Sequence, residues 1–155
     1  MNDSQDHDFR NSPPSIGPEI FSGRPIAPGI AEGEALISTE NISFFGGVEP
    51  ESGTIAESGH ELEGQMVGGK ILVFPAGKGS TVGSYTLYRL AKAGKAPAAI
   101  LNAECEPIVA VGCILGGIPC VDHLPIDRIS TGDRLRVDGA SGRVELWREN
   151  KISDR

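Results

Sequence analysis

Hydrophobic and polar positions alternate with different periods along this chain, and the changes of period mark out its elements. Lys70 to Pro75 holds the unbroken apolar run Ile71-Leu72-Val73-Phe74, the pattern of a strand covered on both faces. Thr81 to Ala93 follows a helical period, with Val82, Tyr85, Leu87, Tyr88 and Leu90 leaving polar residues on the other side and Gly94 as a stop. Pro97 to Asn102 predicts a second strand. Pro107 to Leu115 predicts a second helix, since proline suits a first turn and Glu104 and Glu106 suit the positive end. After Gly116-Gly117, Ile118 to Asp122 predicts a third strand. Strand–helix–strand–helix–strand is a parallel unit with right-handed crossovers.

The ends of the chain read differently. Asp133 to Asp138 alternates polar with apolar, and Arg143-Val144-Glu145-Leu146-Trp147 follows a glycine-bounded turn. This predicts an antiparallel hairpin. Arg24 to Ser38 holds two short extended segments, of which Glu34 to Ile37 is the better strand. The fold class is therefore α/β, with layers made of a small parallel sheet, its helices and an antiparallel sheet. Ser43 to Pro50 reads as a loop with Phe44 and Phe45 at its tip, either tucked into the core or facing a partner or pocket. Glu51 to Gln65 stays loop-like, and His60 within it reads as a solvated or structural residue.

Composition narrows the function. With 155 residues, one core is expected. Twenty-one glycines and 11 prolines make the chain turn-rich, and 39% hydrophobic residues keep it globular. A net charge of −7 and a pI near 4.9 argue against nucleic acid and against anionic membrane as partners. Residues 1–20 are polar and read as a disordered tail without a signal-peptide core, leaving residues 21–150 as the domain. The longest apolar stretch, Ile108 to Val121, is broken by glycines and Pro119. It falls short of the roughly 20 residues of a spanning helix, so a cytoplasmic location is expected. Cys105, Cys113 and Cys120 match neither a disulfide framework nor a zinc site. They read as reduced, buried thiols whose placement in a helix and a strand keeps them from converging.

The chemistry concentrates after the first long strand. Gly77-Lys78-Gly79-Ser80 lacks the order of a nucleotide phosphate loop, because Gly79 and not a hydroxyl residue follows Lys78. Its two glycines instead let backbone approach a ligand. Ser80 falls where a helix should begin, as N-cap, ligand contact or reactive group. From Gly64 to Ala103 there is no acidic residue, yet there are five basic ones: Lys70, Lys78, Arg89, Lys92 and Lys95. That bias favours a small anionic ligand, and Lys78 is the basic residue nearest the turn. Arg89, Lys92 and Lys95 also have a plainer account, as cations offsetting a helix dipole. His7, His60 and His123 are not spaced to build a catalytic triad with Ser80.

Several stretches together resemble the small, swivelling subunit of aconitase X enzymes. They are Phe44-Phe45-Gly46-Gly47-Val48, His60 to Gly64, Gly77 to Tyr85, Ala96 to Ile100, Glu106 to Gly112 and Gly117 to Asp122. The resemblance runs from about Gly23 to Leu146 and implies a swivelling β/β/α three-layer domain. It further implies dehydration of a small hydroxy acid, phosphomevalonate or cis-3-hydroxy-L-proline. Ser80 falls on the family's proton-abstracting serine, with Lys78, Gly79 and Thr81 around it as substrate contacts. Iron or an iron–sulfur cluster would be bound by a partner large subunit, with no metal ligand in this chain. Phe45 stands where a Trp is frequent in relatives, which bears on substrate choice, and Cys120 occupies an otherwise apolar strand position.

Two other classes fit less of the chain. A phosphohistidine carrier shares the swivelling plan but needs a reactive His where Ser80 stands. A non-catalytic ligand-binding or regulatory module would keep the loop without the chemistry.

Overall fold

The computed structural model describes residues 17–148; the tail assigned to residues 1–20 lies outside them as far as residue 16. In chain order come β1 (Glu19–Ser22), β2 (Arg24–Ala27), β3 (Ile30–Ile37), β4 (Ile42–Ser43), β5 (Ile71–Phe74) and β6 (Gly77–Lys78). Then follow α1 (Gly83–Lys92), β7 (Ala99–Asn102), α2 (Pro107–Gly116), β8 (Cys120–Asp122), β9 (Arg134–Asp138) and β10 (Arg143–Trp147).

The larger sheet runs β1-β10-β9-β3-β5-β7-β8-β2. Strand β3 is the hinge of this order. Its first half pairs antiparallel with β9 (Ile30 to Glu34), and its second half pairs parallel with β5 (Ala35 to Ile37). The parallel and antiparallel sheets read from the sequence are thus one hydrogen-bonded sheet that passes through β3. Gly33 lies at the crossing, where a side chain would press on the Gly69 carbonyl at 3.1 Å.

Three layers follow from which way the side chains point. In the middle strands every residue of β5, β7 and β8 is buried, as covered parallel strands require. Leu72, Phe74 and Ile100 pack toward α1 and α2, while Ile71, Val73 and Leu101 pack against Leu135, Val137, Val144 and Leu146 of the hairpin. The hairpin buries alternate residues only, the mark of a sheet with one wet face. This is the β/β/α arrangement expected.

Local differences have physical causes. Glu19 and Ile20, read as tail, belong to β1, which pairs with β10, and Glu19 is held by Arg148 and Arg128. The strand runs at 70–75, 97–102 and 118–122 are each trimmed to the residues that the ladders pair. The second helix runs one residue further, to Gly116, and Gly117 closes it in the left-handed conformation (φ 70°). Glu106 caps its start, accepting from the N–H groups of Ile108 (3.0 Å) and Val109 (2.9 Å). The two helices meet at Gly112, whose absent side chain leaves room for Leu87, and the Ser84 hydroxyl donates to the Ile108 carbonyl at 2.6 Å.

Candidate active site

A second, two-stranded sheet builds the region around Ser80. Strand β4 pairs parallel with β6, Ile42 with Gly77 and Ser43 with Lys78. The pairing ties the loop of Phe44 and Phe45 to the turn Gly77 to Ser80, although 34 positions separate the two in sequence (77 less 43). Gly77 is required because a Cβ there would lie 2.5 Å from Glu106 Oε1 and 2.6 Å from Val109 Cγ2. Gly79 is required twice over. Its φ is +93°, and a Cβ would lie 2.5 Å from the Ser43 hydroxyl, which itself donates to the Phe45 carbonyl at 3.0 Å.

Beyond Gly79 the chain does not enter α1 at once. The N–H groups of Gly83, Ser84 and Tyr85 donate back to the carbonyls of Ser80, Thr81 and Val82 at 2.9, 3.2 and 2.9 Å. This tight turn moves the helix start from the expected Thr81 to Gly83, with Val82 as its N-cap and no side-chain cap. N–H groups that a ligand could use at a helix start are therefore partly spent inside the turn. Ser80 is exposed on the turn. Its Oγ accepts from the Val82 N–H at 3.1 Å, and the hydroxyl hydrogen has no acceptor among the described residues. Thr81 is exposed beside it.

Lys78 stays by the turn, but its Nζ is 2.9 Å from Glu57 Oε2. The other four bases of the acid-free stretch do not converge on Ser80. Lys70 lies at the opposite end of β5 and pairs with Glu34 at 3.0 Å. Lys92 sits over the Tyr88 ring at 5.7 Å, Arg89 lies in the last turn of α1, and Lys95 follows that helix.

The two adjacent phenylalanines divide. Phe44 is 2% exposed and packs against Phe74, whereas Phe45 is 53% exposed. Phe45 stands between two clefts. One, of about 280 Å³, is walled by Ser43, Gly47, Glu57, Lys78 and Gly79. The other, of about 300 Å³, is walled by Val48, Pro50, Val82, Tyr85 and Arg89. His60 takes the structural role: Nε2 donates to the Asn41 carbonyl at 3.0 Å and Nδ1 accepts from the Leu62 N–H at 3.0 Å, so the buried ring braces the loop.

A separate polar cluster lies at the carboxyl edge of the middle strands. Asp122 is fully buried and accepts from Arg24 Nε (2.9 Å), Arg24 Nη2 (2.8 Å) and the Cys105 N–H (2.7 Å). Burial alone pushes its carboxyl up, but the Arg24 and Cys105 bonds hold it below the usual aspartate range. Glu104 and His123 complete a group within 4.8 Å. Because Asp122 already spends its oxygens on these donors, the group is an ion-pair network. Asn102, also fully buried, donates to the Phe74 carbonyl at 2.9 Å.

The cysteines converge, contrary to expectation. The Sγ atoms of Cys105 and Cys120 are 4.0 Å apart, and all three thiols are buried in the layer under the helices. A helical Cys113 and a strand Cys120 meet because α2 lies on the strand that follows it. Hydrogen bonding to Cys120, then burial, raises the Cys105 thiol far above its ordinary range. For Cys120 the bond with Cys105 lowers the value, but Cys113 and burial leave it well raised.

The profile of the aconitase X swivel domain matches residues 20–146. The chain belongs to that family. The phosphomevalonate dehydratase small subunit of Methanocella arvoryzae is 54% identical over 129 residues, covering 81% of this chain and 98% of the relative. That of Methanosarcina mazei is 51% identical over 137 residues, covering 86% and 95%. The crystal structure of Thermococcus kodakaraensis aconitase X in its holo-form superposes with a TM-score of 0.82 at 48% identity, covering 84% of this chain and 99% of that one. In this swivel domain both glycine-rich loops lie inside the matched span. Reading the sequence missed Glu57 and Ser43, and it left open which way Phe44 and Phe45 face. Glu57 lies 21 positions before Lys78 in an irregular stretch, so no local pattern could announce it.

Proposed function

We propose that the chain is the small subunit of a hydro-lyase that dehydrates phosphomevalonate, with Ser80 as the base that takes the proton. What carries this reading is the placement of Ser80. It is exposed on a glycine-rich turn braced by β4 and β6, with its oxygen held by the Val82 N–H and no acceptor for its hydrogen among the described residues. The names of relatives at about half identity favour phosphomevalonate over cis-3-hydroxy-L-proline.

In the proposed reaction Ser80, as alkoxide, accepts the proton from the carbon next to the one bearing the hydroxyl. The C–H electron pair becomes the second bond of the alkene, the neighbouring C–O bond breaks with its electron pair leaving on hydroxide, and that hydroxide becomes water by taking one proton, whose return from Ser80 restores the alkoxide. An N–H donor at 3.1 Å stabilises the alkoxide form of Ser80, and Lys78 adds positive charge beside it, tempered by Glu57. Gly79 keeps the backbone clear for substrate, and Thr81 offers a second hydroxyl on the same turn. Iron or an iron–sulfur centre, assigned to a large subunit, supplies Lewis acidity when bound; this chain contributes no ligand to it.

General-base catalysis is worth about 10²–10⁴ in rate, so Ser80→Ala should lower turnover of the reconstituted pair by at least about 100-fold while leaving assembly intact. Near-normal turnover of that variant on phosphomevalonate would defeat the assignment. Turnover of cis-3-hydroxy-L-proline instead would move the substrate and keep the base. A wild-type pair that binds either compound without releasing water would favour the regulatory-module reading.

A further inference from the structure

Both ends of the segment that carries Ser80 rest on the first turn of α2. Before the serine, Gly77 lies against that turn, where a Cβ would meet Glu106 Oε1 at 2.5 Å and Val109 Cγ2 at 2.6 Å. After it, the Ser84 hydroxyl donates to the Ile108 carbonyl at 2.6 Å, and a Cβ on Gly83 would lie 3.2 Å from Ile108 Cγ2. Among the described residues the hydrogen bonds of Ser80 itself stay inside this segment: its Oγ accepts from Val82 and its carbonyl from Gly83. The place of Ser80 in the molecule is therefore set by what holds the segment, namely β4 alongside Gly77 and Lys78 and α2 at both ends.

The residue at the centre of this support is Glu106, the N-cap of α2. Ser, Thr, Asp and Asn lead at such positions because their short side chains reach the first N–H groups directly. Glu106 is longer and folds back, so that its two oxygens take the N–H groups of Ile108 at 3.0 Å and Val109 at 2.9 Å. Its Oε1 thereby fills the space that the missing side chain of Gly77 leaves. A shorter cap would satisfy the same N–H groups and leave that space empty. Ile108 joins the two ends, giving its N–H to Glu106 and its carbonyl to Ser84.

We propose that Glu106 is a positioning residue for Ser80. Its carboxylate seats Gly77 directly and, through Ile108 and Ser84, fixes the far end of the serine turn on the same helix. This rests on the Ser80 reading, since what is positioned is that base. A displacement of about 1 Å at a reacting group can cost roughly 100-fold in rate, so a fit made by one carboxylate is enough to govern turnover.

The test reconstitutes the full chain with its purified large subunit and measures turnover of saturating phosphomevalonate beside the melting temperature of each variant. Glu106→Asp keeps the charge and supplies a good cap, but withdraws the carboxylate from Gly77, so turnover should fall by about tenfold or more while melting changes little. Glu106→Gln keeps the length and turns an amide nitrogen toward one N–H, so it should melt lower than Glu106→Asp and turn over faster. That crossing of ranks separates positioning from capping, because loss of a cap alone lowers both readouts together. Ser84→Ala cuts the second tie and should also lower turnover by about tenfold. In a Ser80→Ala background, Glu106→Asp should cost no more than about twofold further, since variants that act through one group do not add. Turnover of Glu106→Asp within about twofold of wild type, one rank order on both readouts, or full additivity with Ser80→Ala overturns the positioning role and leaves the Ser80 reading standing. Near-normal turnover of Ser80→Ala overturns the base assignment itself, and the positioning role falls with it.

Discussion

At the scale of single residues, two acidic side chains held in different ways show how environment assigns roles. Glu106 sits at a helix start and spends both oxygens on N–H groups. Asp122 is withdrawn from water and neutralised by Arg24. Its folded carboxyl lies below the ordinary value near 3.8. Between the two values the unfolded chain binds more protons, so Asp122 contributes stability that is whole above the ordinary value and is lost as pH falls through the folded one. Asp122→Asn should cost about 2 kcal/mol at neutral pH, the scale of hydrogen bonds to a charged group. That lies below the roughly 3–5 kcal/mol of a fully buried pair, because Arg24 is half exposed. Denaturant unfolding at pH 7 and at pH 3 measures this, and the gap between variant and wild type should narrow at the lower pH.

At the scale of elements, the helix pair depends on one missing methyl group. A Cβ on Gly112 would lie 2.6 Å from Leu87 Cδ1, 2.9 Å from Leu87 Cβ and 3.2 Å from Ser84 Cα. The last of these is backbone and cannot swing away. Gly112→Ala gains about 1 kcal/mol of helix propensity but overpacks at a cost of about 1–3 kcal/mol. The expected outcome is a lower melting temperature, read by circular dichroism, with Ser80 still exposed. Periodicity revealed both helices, since Leu87 and Leu90 face inward as the 3.6 spacing requires. It did not reveal where α1 begins. Ser80 and Thr81 have the composition of a helix start, yet the left-handed Gly79 sends them into a tighter turn, and propensity yields to that local geometry.

At the scale of the whole molecule, the three thiols report on cooperative opening. They are buried in the layer of α2 and β8, and the thiols of Cys105 and Cys120 are raised above their ordinary range as well. A disulfide-forming thiol reagent should react with none of them quickly in the native chain. In denaturant all three should react, with a midpoint that follows the loss of secondary structure. Rapid labelling of one thiol without unfolding would show that the layer under the helices opens separately. Among the described residues no helix is long and apolar enough to cross a membrane.

The strand–helix–strand–helix–strand unit from Ile71 to Asp122, the closing hairpin and the glycine turn carrying Ser80 were legible in the one-dimensional pattern, whereas the short strands β1, β4 and β6 were not. Each legible feature depends on residues close together in the chain, where periodicity and turn chemistry act. Four things were settled only by packing: the passage of β3 between sheets, the pairing of β4 with β6, the meeting of Cys105 with Cys120, and the split fates of Phe44 and Phe45. They join residues up to about a hundred positions apart, as Gly33 and Leu135 are. No local propensity encodes such pairs. They form because burying both faces of one sheet leaves the chain a single arrangement in which its loops can reach each other.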